Sequence, residues 1–363
     1  MSKTFKVGIV GCGGIANGKH LPAISKLDNV KITYFCDIIP ERAEAAREKY
    51  GAEGALVTEN FMDVVNSDVD VIHVLTPNKS HCEISCAAMN AGKHVMCEKP
   101  MAKTAAEAKL MCDTAKKTGV TLTIGYQSRF SPEAEYVKAE AEDGFFGEVY
   151  MARAYAIRRR AVPTWGVFLN EEEQGGGPLI DIGTHALDLT LWTMDNYKPK
   201  YCVGTTYHKL NGDTNTGNDW GDWDPEKFTV EDSAFGFVVM ENGATIMLES
   251  AWALNTLDVR EAVTTLCGTL AGADMSNGAV RINGVRNGRQ YVLEPNFKAG
   301  GVAFNDGKKS ESAANREARL WIDAIRNDTE PLTLPEQAYC VTRILEGIYE
   351  SAKTGTIYYF DQK

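Results

Sequence analysis

Features that would place this chain in a membrane or outside the cell are missing from its 363 residues. No apolar run approaches the 18 or so residues that a membrane-spanning helix requires. The first ten residues lead straight into a strand-like run and lack the long apolar core of a secretory signal. The nine cysteines are odd in number and form no Cys-x-x-Cys pair, which is typical of reduced, buried thiols. We therefore expect a cytoplasmic protein.

Positive charge is also scarce, since 38 Lys and Arg residues face 49 Asp and Glu residues and the net charge is −11. Nucleic acids and anionic membranes attract basic surfaces, so we expect neither as a main partner. The six histidines show no clustered ligand spacing and no His-Glu-x-x-His motif, and we expect no metal site. With 44% hydrophobic and 24% charged residues, the chain has the composition of a globular protein.

The first third alternates strand-like apolar runs with helix-like stretches, which predicts βαβ units in a doubly wound parallel sheet. We expect an α/β Rossmann domain over residues 1–124. The predicted strands are Phe5–Val10, Val30–Cys36, Val71–Leu75, His94–Cys97 and Thr121–Ile124. The predicted helices are Glu41–Tyr50, Ser80–Ala91 and Ala105–Thr118.

Residues 125–363 show longer strands separated by Gly, Asn and Asp turns, with few helices. This pattern predicts a C-terminal α+β domain with a large, open, mostly antiparallel sheet. Lys209–Lys227 is predicted to be a long loop of a kind that is often functional or bridges subunits. The predicted strands are Glu148–Ala156, Tyr201–Thr206, Ala234–Met240, Ala244–Ala253 and Glu261–Cys267, and the predicted helices are Pro178–Met194 and Asn315–Asn327.

A glycine-rich turn after the first predicted strand is the strongest local signal. It reads Gly11-Cys12-Gly13-Gly14-Ile15-Ala16, a Gly-x-Gly-x-x-Ala motif that opens a helix. Gly11 permits a tight turn, Gly13 lets a pyrophosphate approach the backbone, and Ala16 keeps helix and strand close. The free N–H groups at the helix N-terminus would bind the phosphates. The motif predicts a dinucleotide-binding site.

Asp37 ends the second predicted strand, near the place roughly 20 residues beyond the glycines where such sites carry a carboxylate. That carboxylate can accept hydrogen bonds from the ribose hydroxyls and would repel a 2′-phosphate. Ile38 and Ile39 follow, with no adjacent arginine to bind the phosphate, although Arg42 is near. The sequence therefore favours NAD over NADP.

Polar segments follow the next strands and should border the cofactor, because ligands of doubly wound sheets bind at the carboxyl ends of strands. The first is Thr76-Pro77-Asn78-Lys79-Ser80-His81, in which Asn78 can equally cap a helix. The second is Glu98-Lys99-Pro100, where the strand end and the proline hold the lysine in place. A cis Lys99–Pro100 bond is one possibility.

A third segment follows Gly175-Gly176-Gly177, glycines that we expect to end a mobile loop. Asp181, His185 and Asp188 have the i, i+4, i+7 spacing of one helical face. A carboxylate beside an imidazole orients it and raises its basicity, which suits a general base near pH 7. A satisfied structural histidine and a metal ligand are the competing interpretations.

Taken together, these motifs resemble the Gfo/Idh/MocA family of oxidoreductases. The resemblance spans nearly the whole chain and includes Gly125-Tyr126-Gln127…Arg129-Phe130 and the Trp321-Ile322-Asp323-Ala324-Ile325 helix. It implies a Rossmann domain, an open sheet that often forms subunit contacts, and hydride transfer between a nicotinamide and a secondary alcohol of a sugar or polyol. Lys99, Asp181 and His185 match the family's catalytic residues. Glu98, Asn78, His81 and Gln127 match its cofactor neighbours.

The resemblance also frames the expected substrate site and its partners. We expect a sugar, glycoside or cyclitol and a homo-oligomer, either a dimer or a tetramer. Arginine and tryptophan suit sugar recognition, and the loop around Trp220 and Trp223 could accommodate the aglycone of a glycoside oxidised at its 3-hydroxyl. The expected substrate contacts are Lys99, Tyr126, Arg153, Arg158, Trp165, Asp181 and His185.

The sequence leaves several alternatives open. Either Lys99 or His185 can be the base, and the substrate, the direction of the reaction and the tightness of NAD binding are undetermined. A non-catalytic NAD-binding sensor is one alternative function. A glycosidase that oxidises its substrate transiently with tightly held NAD is another.

Overall fold

A computed structural model describes residues 3–276, 278–297 and 311–360. The described chain divides into two compact units. The first contains residues 3–127 and 311–339, and the second contains the other described residues from 128 to 297 together with 340–360. The sequence analysis draws one boundary after residue 124, whereas in the structure the segment 311–339 returns to the first unit.

The first unit is built on a six-stranded parallel sheet of order β3-β2-β1-β4-β5-β6. This is the strand order of a Rossmann fold, and it confirms the predicted fold class. The strands are β1 (Phe5–Val10), β2 (Val30–Cys36), β3 (Leu56–Thr58), β4 (Val71–Val74), β5 (His94–Cys97) and β6 (Leu122–Ile124). Of these, the sequence analysis missed only β3, which is three residues long.

Helices connect these strands, and the sequence predicts all of them except Phe61–Val65. They are α1 (Leu21–Ile24), α2 (Pro40–Tyr50), α3 (Phe61–Val65), α4 (His81–Asn90) and α5 (Ala105–Thr118). A π-helical segment, Ala16–His20, leads into α1. Pro22 has no N–H to donate inside the helix, and a widened turn before it accommodates that loss. The segment Asn78–Ser80 is a 3-10 turn that leads into α4.

The second unit contains a nine-stranded sheet of order β14-β13-β12-β11-β7-β10-β9-β8-β15. Its pairs are antiparallel except for β7 with β10, which confirms the expected mostly antiparallel sheet. The strands are β7 (Val149–Ile157), β8 (Pro199–Tyr207), β9 (Ser233–Met240), β10 (Thr245–Ala251), β11 (Arg260–Gly268), β12 (Ala271–Ser276), β13 (Ala279–Arg286), β14 (Arg289–Leu293) and β15 (Tyr358–Tyr359).

Helices cover one face of this sheet and leave the other open. One covering helix is α8 (Thr184–Met194), whose Thr190 hydroxyl donates a hydrogen bond to the Thr264 hydroxyl of β11 at 2.8 Å. The opposite face exposes apolar side chains such as Phe237 and Met247. The second unit contains α6 (Pro132–Glu142), α7 (Glu171–Gln174) and α8 (Thr184–Met194). The 3-10 segment Gln127–Phe130 spans the point where the chain passes from the first unit to the second, and the π-helical segment Leu179–Gly183 precedes α8.

The C-terminal helices complete the two cores. Helix α9 (Ala313–Asn327) packs Trp321 and Ile322 into the same core as Phe5 and Ile24, which explains why it belongs to the first unit. Helix α10 (Pro335–Thr354) was not predicted. Its Ile348 lies so close to β8 that a Cβ at Gly204 would meet the Ile348 side chain at 2.6 Å. Among the described residues, no helix combines the length and apolarity that crossing a membrane requires.

Candidate active site

The glycine-rich turn has the geometry that a bound dinucleotide needs. Gly11 has a φ of +96°, and a Cβ there would lie 2.6 Å from the carbonyl oxygen of Leu75. A Cβ at Gly13 or Gly14 would meet no described atom within 4 Å, so the backbone there borders open space. Ile15 is exposed and Ala16 is fully buried. The residues present therefore fit a pyrophosphate placed against this turn.

Asp37 is held at the end of β2 by backbone donors. Its Oδ2 accepts a hydrogen bond from the N–H of Cys12 at 2.8 Å, and its Oδ1 accepts one from Ile39 at 2.9 Å. The next side chain, Ile38, is 84% exposed and offers an apolar surface beside the carboxylate. Burial raises the pKa of the Cys12 thiol to about 12, so the thiol stays protonated near pH 7.

His81 joins the two polar segments that follow β4 and β5. Its Nδ1 lies 2.8 Å from the carbonyl oxygen of Pro100, and its Nε2 lies 2.8 Å from that of Thr76. Burial lowers the pKa of His81, although the two carbonyl contacts raise it in part. Asn78 is buried in the turn between Pro77 and His81, and the Lys99–Pro100 bond is cis. His81 therefore fixes the Thr76 turn to the Lys99 turn.

Glu98 lies at the centre of a buried charge network that the sequence analysis did not foresee. Its Oε1 accepts hydrogen bonds from Lys19 Nζ at 2.8 Å and from His20 Nε2 at 2.7 Å. Lys19 Nζ also pairs with Glu317 Oε2 of helix α9 at 2.9 Å. The second oxygen of Glu98 accepts the backbone N–H of Lys99 at 3.0 Å. The carboxylate thus ties the glycine-motif helix and α9 to the backbone of the candidate catalytic lysine.

The charges in this network stabilise one another. Burial raises the pKa of the Glu98 carboxyl, but the Lys19 ammonium and then His20 outweigh it and hold that pKa well below its usual range. Burial lowers the pKa of Lys19, and the carboxylates of Glu317 and Glu98 more than reverse this shift. Glu98, which is expected to be a cofactor neighbour, is 5% exposed, and its carboxylate is engaged with protein groups.

Lys99 itself differs from its surroundings in exposure. From residue 95 to residue 102 every side chain is buried except Lys99, which is half-buried. Two other predicted site residues follow strand β6: Tyr126 is fully buried, and Gln127 is exposed. In the first unit, the Lys99 side chain therefore reaches the surface from a segment whose other side chains are buried.

The second unit shows the same contrast around the candidate acid–base pair. From residue 176 to residue 193 every residue is buried except Asp181 and His185, which are both half-buried. Asp181 lies in the π-helical segment and His185 in the first turn of α8. The indole Nε1 of fully buried Trp252 donates a hydrogen bond to Asp181 Oδ2 at 3.0 Å. Trp252 is a contact that the sequence analysis missed.

Two of the glycines before this segment, which the sequence places at the end of a mobile loop, are closely packed in the structure. A Cβ at Gly176 would lie 2.1 Å from the hydroxyl oxygen of Tyr349, and one at Gly177 would lie 2.3 Å from the carbonyl oxygen of Glu231. The Glu231 carboxylate accepts the N–H groups of Gly177 at 2.8 Å and Leu179 at 3.1 Å, and the Tyr349 hydroxyl at 2.8 Å. Burial raises the pKa of Glu231, and these donors offset the rise in part.

Asp188 belongs to the buried framework. Its carboxylate receives Nε of Arg129 at 2.9 Å and Nη2 at 2.5 Å, and neither side chain is exposed. The Arg129 guanidinium also lies 5.6 Å from the centre of the Trp192 ring. Asp188 therefore forms a buried ion pair that holds α8. Of the three residues predicted to share one helical face, only Asp181 and His185 are half-exposed.

The predicted substrate residues of the second unit occupy different surfaces. Ala154 of β7 pairs with Thr264, which contacts α8, so the adjacent Arg153 lies on the opposite, open face. Arg158 forms an ion pair with Glu261, and its guanidinium lies 5.1 Å from the centre of the Trp220 ring. Trp165 is 53% exposed beside Trp220. Arg153 is thus separated by the sheet from Asp181, whose helical segment covers the other face.

Some of the missed residues carried a weak signal in the sequence. Lys19 and His20 lie just beyond the glycine motif, Glu231 lies shortly before the predicted strand Ala234–Met240, and Trp252 lies within the predicted strand Ala244–Ala253. Nothing in the sequence connects Glu317 with Lys19, nearly 300 residues earlier. Among residues 3–276, 278–297 and 311–360, no three His, Cys, Asp or Glu side chains are grouped as a metal site requires.

Comparison with known proteins identifies the family. Residues 5–126 match the Gfo/Idh/MocA oxidoreductase family model with an NAD-binding Rossmann fold, and residues 134–272 match the Gfo/Idh/MocA C-terminal domain. The chain belongs to this family, which confirms the resemblance. It is an NAD-binding oxidoreductase, as the glycine turn also indicates.

Named relatives are sugar and polyol dehydrogenases. The chain is 32% identical over 355 residues to D-glucoside 3-dehydrogenase of Escherichia coli strain K12, covering 98% of this chain and 97% of that protein. It is 33% identical over 196 residues to an inositol 2-dehydrogenase/D-chiro-inositol 3-dehydrogenase of Lactiplantibacillus plantarum, covering 53% of each. A levoglucosan dehydrogenase, solved with NADH and levoglucosan, shares the fold with a TM-score of 0.84 at 20% identity over 99% of this chain and 100% of that chain.

Proposed function

We propose that this protein oxidises the 3-hydroxyl of a D-glucoside with NAD. The full-length similarity to a D-glucoside 3-dehydrogenase supports the substrate class. The observation that carries the chemistry is the selective exposure of Asp181 and His185 in an otherwise buried segment. Burying every neighbour while exposing a carboxylate and an imidazole is the pattern of an acid–base site rather than of a packing helix.

Each catalytic group has a distinct role in the proposed oxidation. His185 accepts the hydroxyl proton, and the Asp181 carboxylate favours the protonated imidazole that results. The Lys99 ammonium donates a hydrogen bond to the same oxygen and stabilises its developing negative charge. Trp252 holds one oxygen of Asp181, and Glu98 holds the backbone of Lys99. When bound, NAD supplies the acceptor for the hydride that leaves the carbon bearing this hydroxyl.

The proposed NAD site uses the groups of the first unit. The backbone from Gly11 to Ala16 would bind the pyrophosphate, and Asp37 would accept hydrogen bonds from the adenosine ribose. The exposed Ile38 would pack against the adenine. Thr76, Pro77, Asn78 and Gln127 would line the remaining surface, with His81 fixing the Thr76 turn in place.

A substrate screen tests this function. Methyl glucoside, glucose and myo-inositol are each incubated with NAD or NADP, and reduced nicotinamide is followed by absorbance. We expect NADH to accumulate in step with a 3-keto product from the glucoside. Turnover without NADH accumulation would indicate the transient oxidation of a glycosidase, and NAD binding without turnover would indicate a sensor. A preference for NADP would contradict the role of Asp37.

Variants then assign the roles. We expect Lys99→Met and His185→Asn to lower kcat by at least about 100-fold, the lower range for a positioned proton-transfer group. NAD affinity, measured by fluorescence titration, should change little in both variants. The pH–rate profile of Lys99→Met should retain its ionisation if His185 is the base. Loss of that ionisation with Lys99 would transfer the role of base to the lysine.

We also propose that the open face of the nine-stranded sheet joins copies of this chain into a homo-oligomer. Val203, Phe237 and Met247 occupy neighbouring positions on β8, β9 and β10 and are 41, 42 and 39% exposed. Arg153 follows on β7, so charge flanks the apolar row as it does at many interfaces. Phe237→Asp should lower the mass measured by light scattering. Leu110→Asp, at an exposed apolar site of the first unit, is the control.

The proposed location is the cytoplasm. The structure leaves all nine cysteines as free thiols, seven of them buried. Free thiols persist in a reducing compartment. Fractionation of cells that produce the protein tests the location, and recovery from an oxidising compartment would contradict it.

A further inference from the structure

An exposed aromatic cluster lies in the second unit, outside the groups that carry the proposed chemistry. Trp165 is 53% exposed and Trp220 is 42% exposed, and their ring centres are 5.0 Å apart. Phe168 packs edge-on against Trp165, with ring centres 5.9 Å apart. Tryptophan is one of the largest apolar side chains, and two adjacent half-exposed indoles form a surface that gains free energy when a ligand covers it.

The cluster is held in a fixed arrangement by polar contacts. The Asn218 side chain accepts the N–H of Val162 at 2.8 Å and donates to the Val162 carbonyl at 3.0 Å. The Thr164 hydroxyl donates to the Trp220 carbonyl at 2.7 Å. Arg158 stacks on the Trp220 ring while Glu261 neutralises its charge. A surface fixed before binding loses little conformational entropy when a ligand arrives.

Backbone pairing places the cluster near Asp181 within the same unit. The N–H of Ala161 donates to the carbonyl of Trp252 at 3.0 Å, and the next residue, Val162, pairs with Asn218. The segment at Ala161 and Val162 therefore lies between the segment at Trp252 and the segment at Asn218. Trp252 holds Asp181, so the aromatic cluster begins a short distance from the candidate acid–base pair.

We propose that Trp165 and Trp220 form a subsite for an uncharged aromatic aglycone on the glucoside, an inference that rests on the proposed function. A glucose ring with its 3-hydroxyl near Asp181 and His185 carries its aglycone on carbon 1, away from the reacting carbon. A planar ring stacks on an indole more effectively than a small alkyl group does. Glu261 compensates the charge of Arg158, the cation stacked on Trp220, so that this cation does not select an anionic aglycone.

Kinetics with two glucosides of the same anomeric configuration test the subsite. The substrates are phenyl glucoside and methyl glucoside, and the readout is the ratio of their kcat/KM values. We expect the wild type to favour phenyl glucoside and Trp165→Ala to lower this ratio about 5- to 10-fold, the range for one aromatic contact. Trp165→Phe should retain much of it. Tyr150→Ala removes a side chain of equal exposure in the same unit and is the matched control.

The outcomes separate the subsite from the function beneath it. If the wild type oxidises both glucosides and Trp165→Ala leaves the ratio unaltered, the subsite is refuted and the proposed function stands. If the wild type neither oxidises nor binds either glucoside in the presence of NADH, as measured by calorimetry, the function is refuted and the subsite with it. Light scattering gives a further check, because a lower oligomer mass for Trp165→Ala would show a subunit contact and overturn the subsite.

Discussion

Replacing Lys19 by methionine would test the buried charge network beneath Lys99. The ammonium lies between the Glu98 and Glu317 carboxylates at 2.8 and 2.9 Å, and all three side chains are at most 8% exposed. Methionine keeps most of the volume and apolar stem of lysine, so packing is largely preserved. The change therefore removes the positive charge and leaves two carboxylates in a site from which water is nearly excluded.

The expected loss of stability follows from this burial. Breaking a buried pair by removing one partner costs about 3–5 kcal/mol, because the remaining charge is uncompensated. Here the remaining groups are two carboxylates, and His20 is still within hydrogen-bond distance of Glu98. We therefore expect Lys19→Met to lower the free energy of unfolding by about 3 kcal/mol or more near pH 8.

The pH dependence should change sign in this variant. In the wild type the pKa of Glu98 is held well below its usual range, so its contribution is complete above the unfolded pKa and is lost only as the pH falls through the folded value. Without Lys19, we expect burial to outweigh the remaining His20 contact and to raise the pKa of Glu98 above its unfolded value. Stability is then greatest at low pH and is lost as the pH rises, by about 1.4 kcal/mol for each unit of upward shift.

Urea unfolding followed by circular dichroism, between about pH 5.5 and 8, measures this effect. The wild type should be nearly constant over the interval with respect to Glu98, and Lys19→Met should become less stable as the pH rises. Lys109→Met is the control, because its ion pair with Asp113 is exposed on both sides and should contribute nothing measurable. Equal stability of Lys19→Met and the wild type at every pH would refute the assigned role.

Three further changes probe the second unit. Trp252→Phe removes the indole donor to Asp181. A hydrogen bond to a charged group is worth about 1.5–3 kcal/mol, so kcat/KM should fall at least about tenfold. Because the lost donor stabilises the charged carboxylate, the acidic limb of the pH–rate profile should move to higher pH. Asp188→Asn leaves the buried Arg129 guanidinium uncompensated and should lower the free energy of unfolding by about 3–5 kcal/mol in urea titrations. Gly176→Ala places a Cβ 2.1 Å from the Tyr349 hydroxyl and should cost about 1–3 kcal/mol in the same assay.

Each of these changes has its own control. An unaltered pH–rate profile for Trp252→Phe would show that the indole of Trp252 does not influence the ionisation on which catalysis depends. Wild-type stability of Asp188→Asn would show that the ion pair does not hold α8. Gly212→Ala, where a Cβ meets no described atom within 4 Å, should leave the unfolding midpoint unchanged, and an equal loss there would remove the steric explanation for Gly176.

The first unit was predictable to the level of individual strand ends. Phe5–Val10, Val30–Cys36 and His94–Cys97 have the bounds that the apolar pattern predicts, because strands buried on both faces form compact apolar runs with abrupt ends. The glycine turn was predictable because few residues tolerate the φ of Gly11 beneath the Leu75 carbonyl. Three-residue β3 gives no comparable run, and the sequence analysis missed it.

Helix α10 was missed for a different reason. It begins at Pro335 and runs for 20 residues with a polar and an apolar side, but it mixes Tyr, Cys, Val and Thr, which have modest helix propensity. The glycines at 175–177 were assigned to a mobile loop because glycine at a loop end usually signals freedom. In this fold they admit the Tyr349 ring and the Glu231 backbone instead. Sequence alone does not distinguish a flexible glycine from one required by close packing.

The residues that support the candidate site were the least predictable, and their physical character explains why. Lys19, Glu98 and Glu317 are charged residues, for which composition predicts exposure, yet each is more than 90% buried because the Lys19 ammonium lies within hydrogen-bond distance of both carboxylates. Lys99, Asp181 and His185 show the opposite exception, since they retain exposure where their neighbours have none. A charge that is buried only in the presence of its partners, and a polar group left accessible in a buried segment, are both properties of the folded chain. The sequence motifs are therefore enough to predict the candidate catalytic residues. The buried charge network that supports Lys99 can be identified only from the three-dimensional structure.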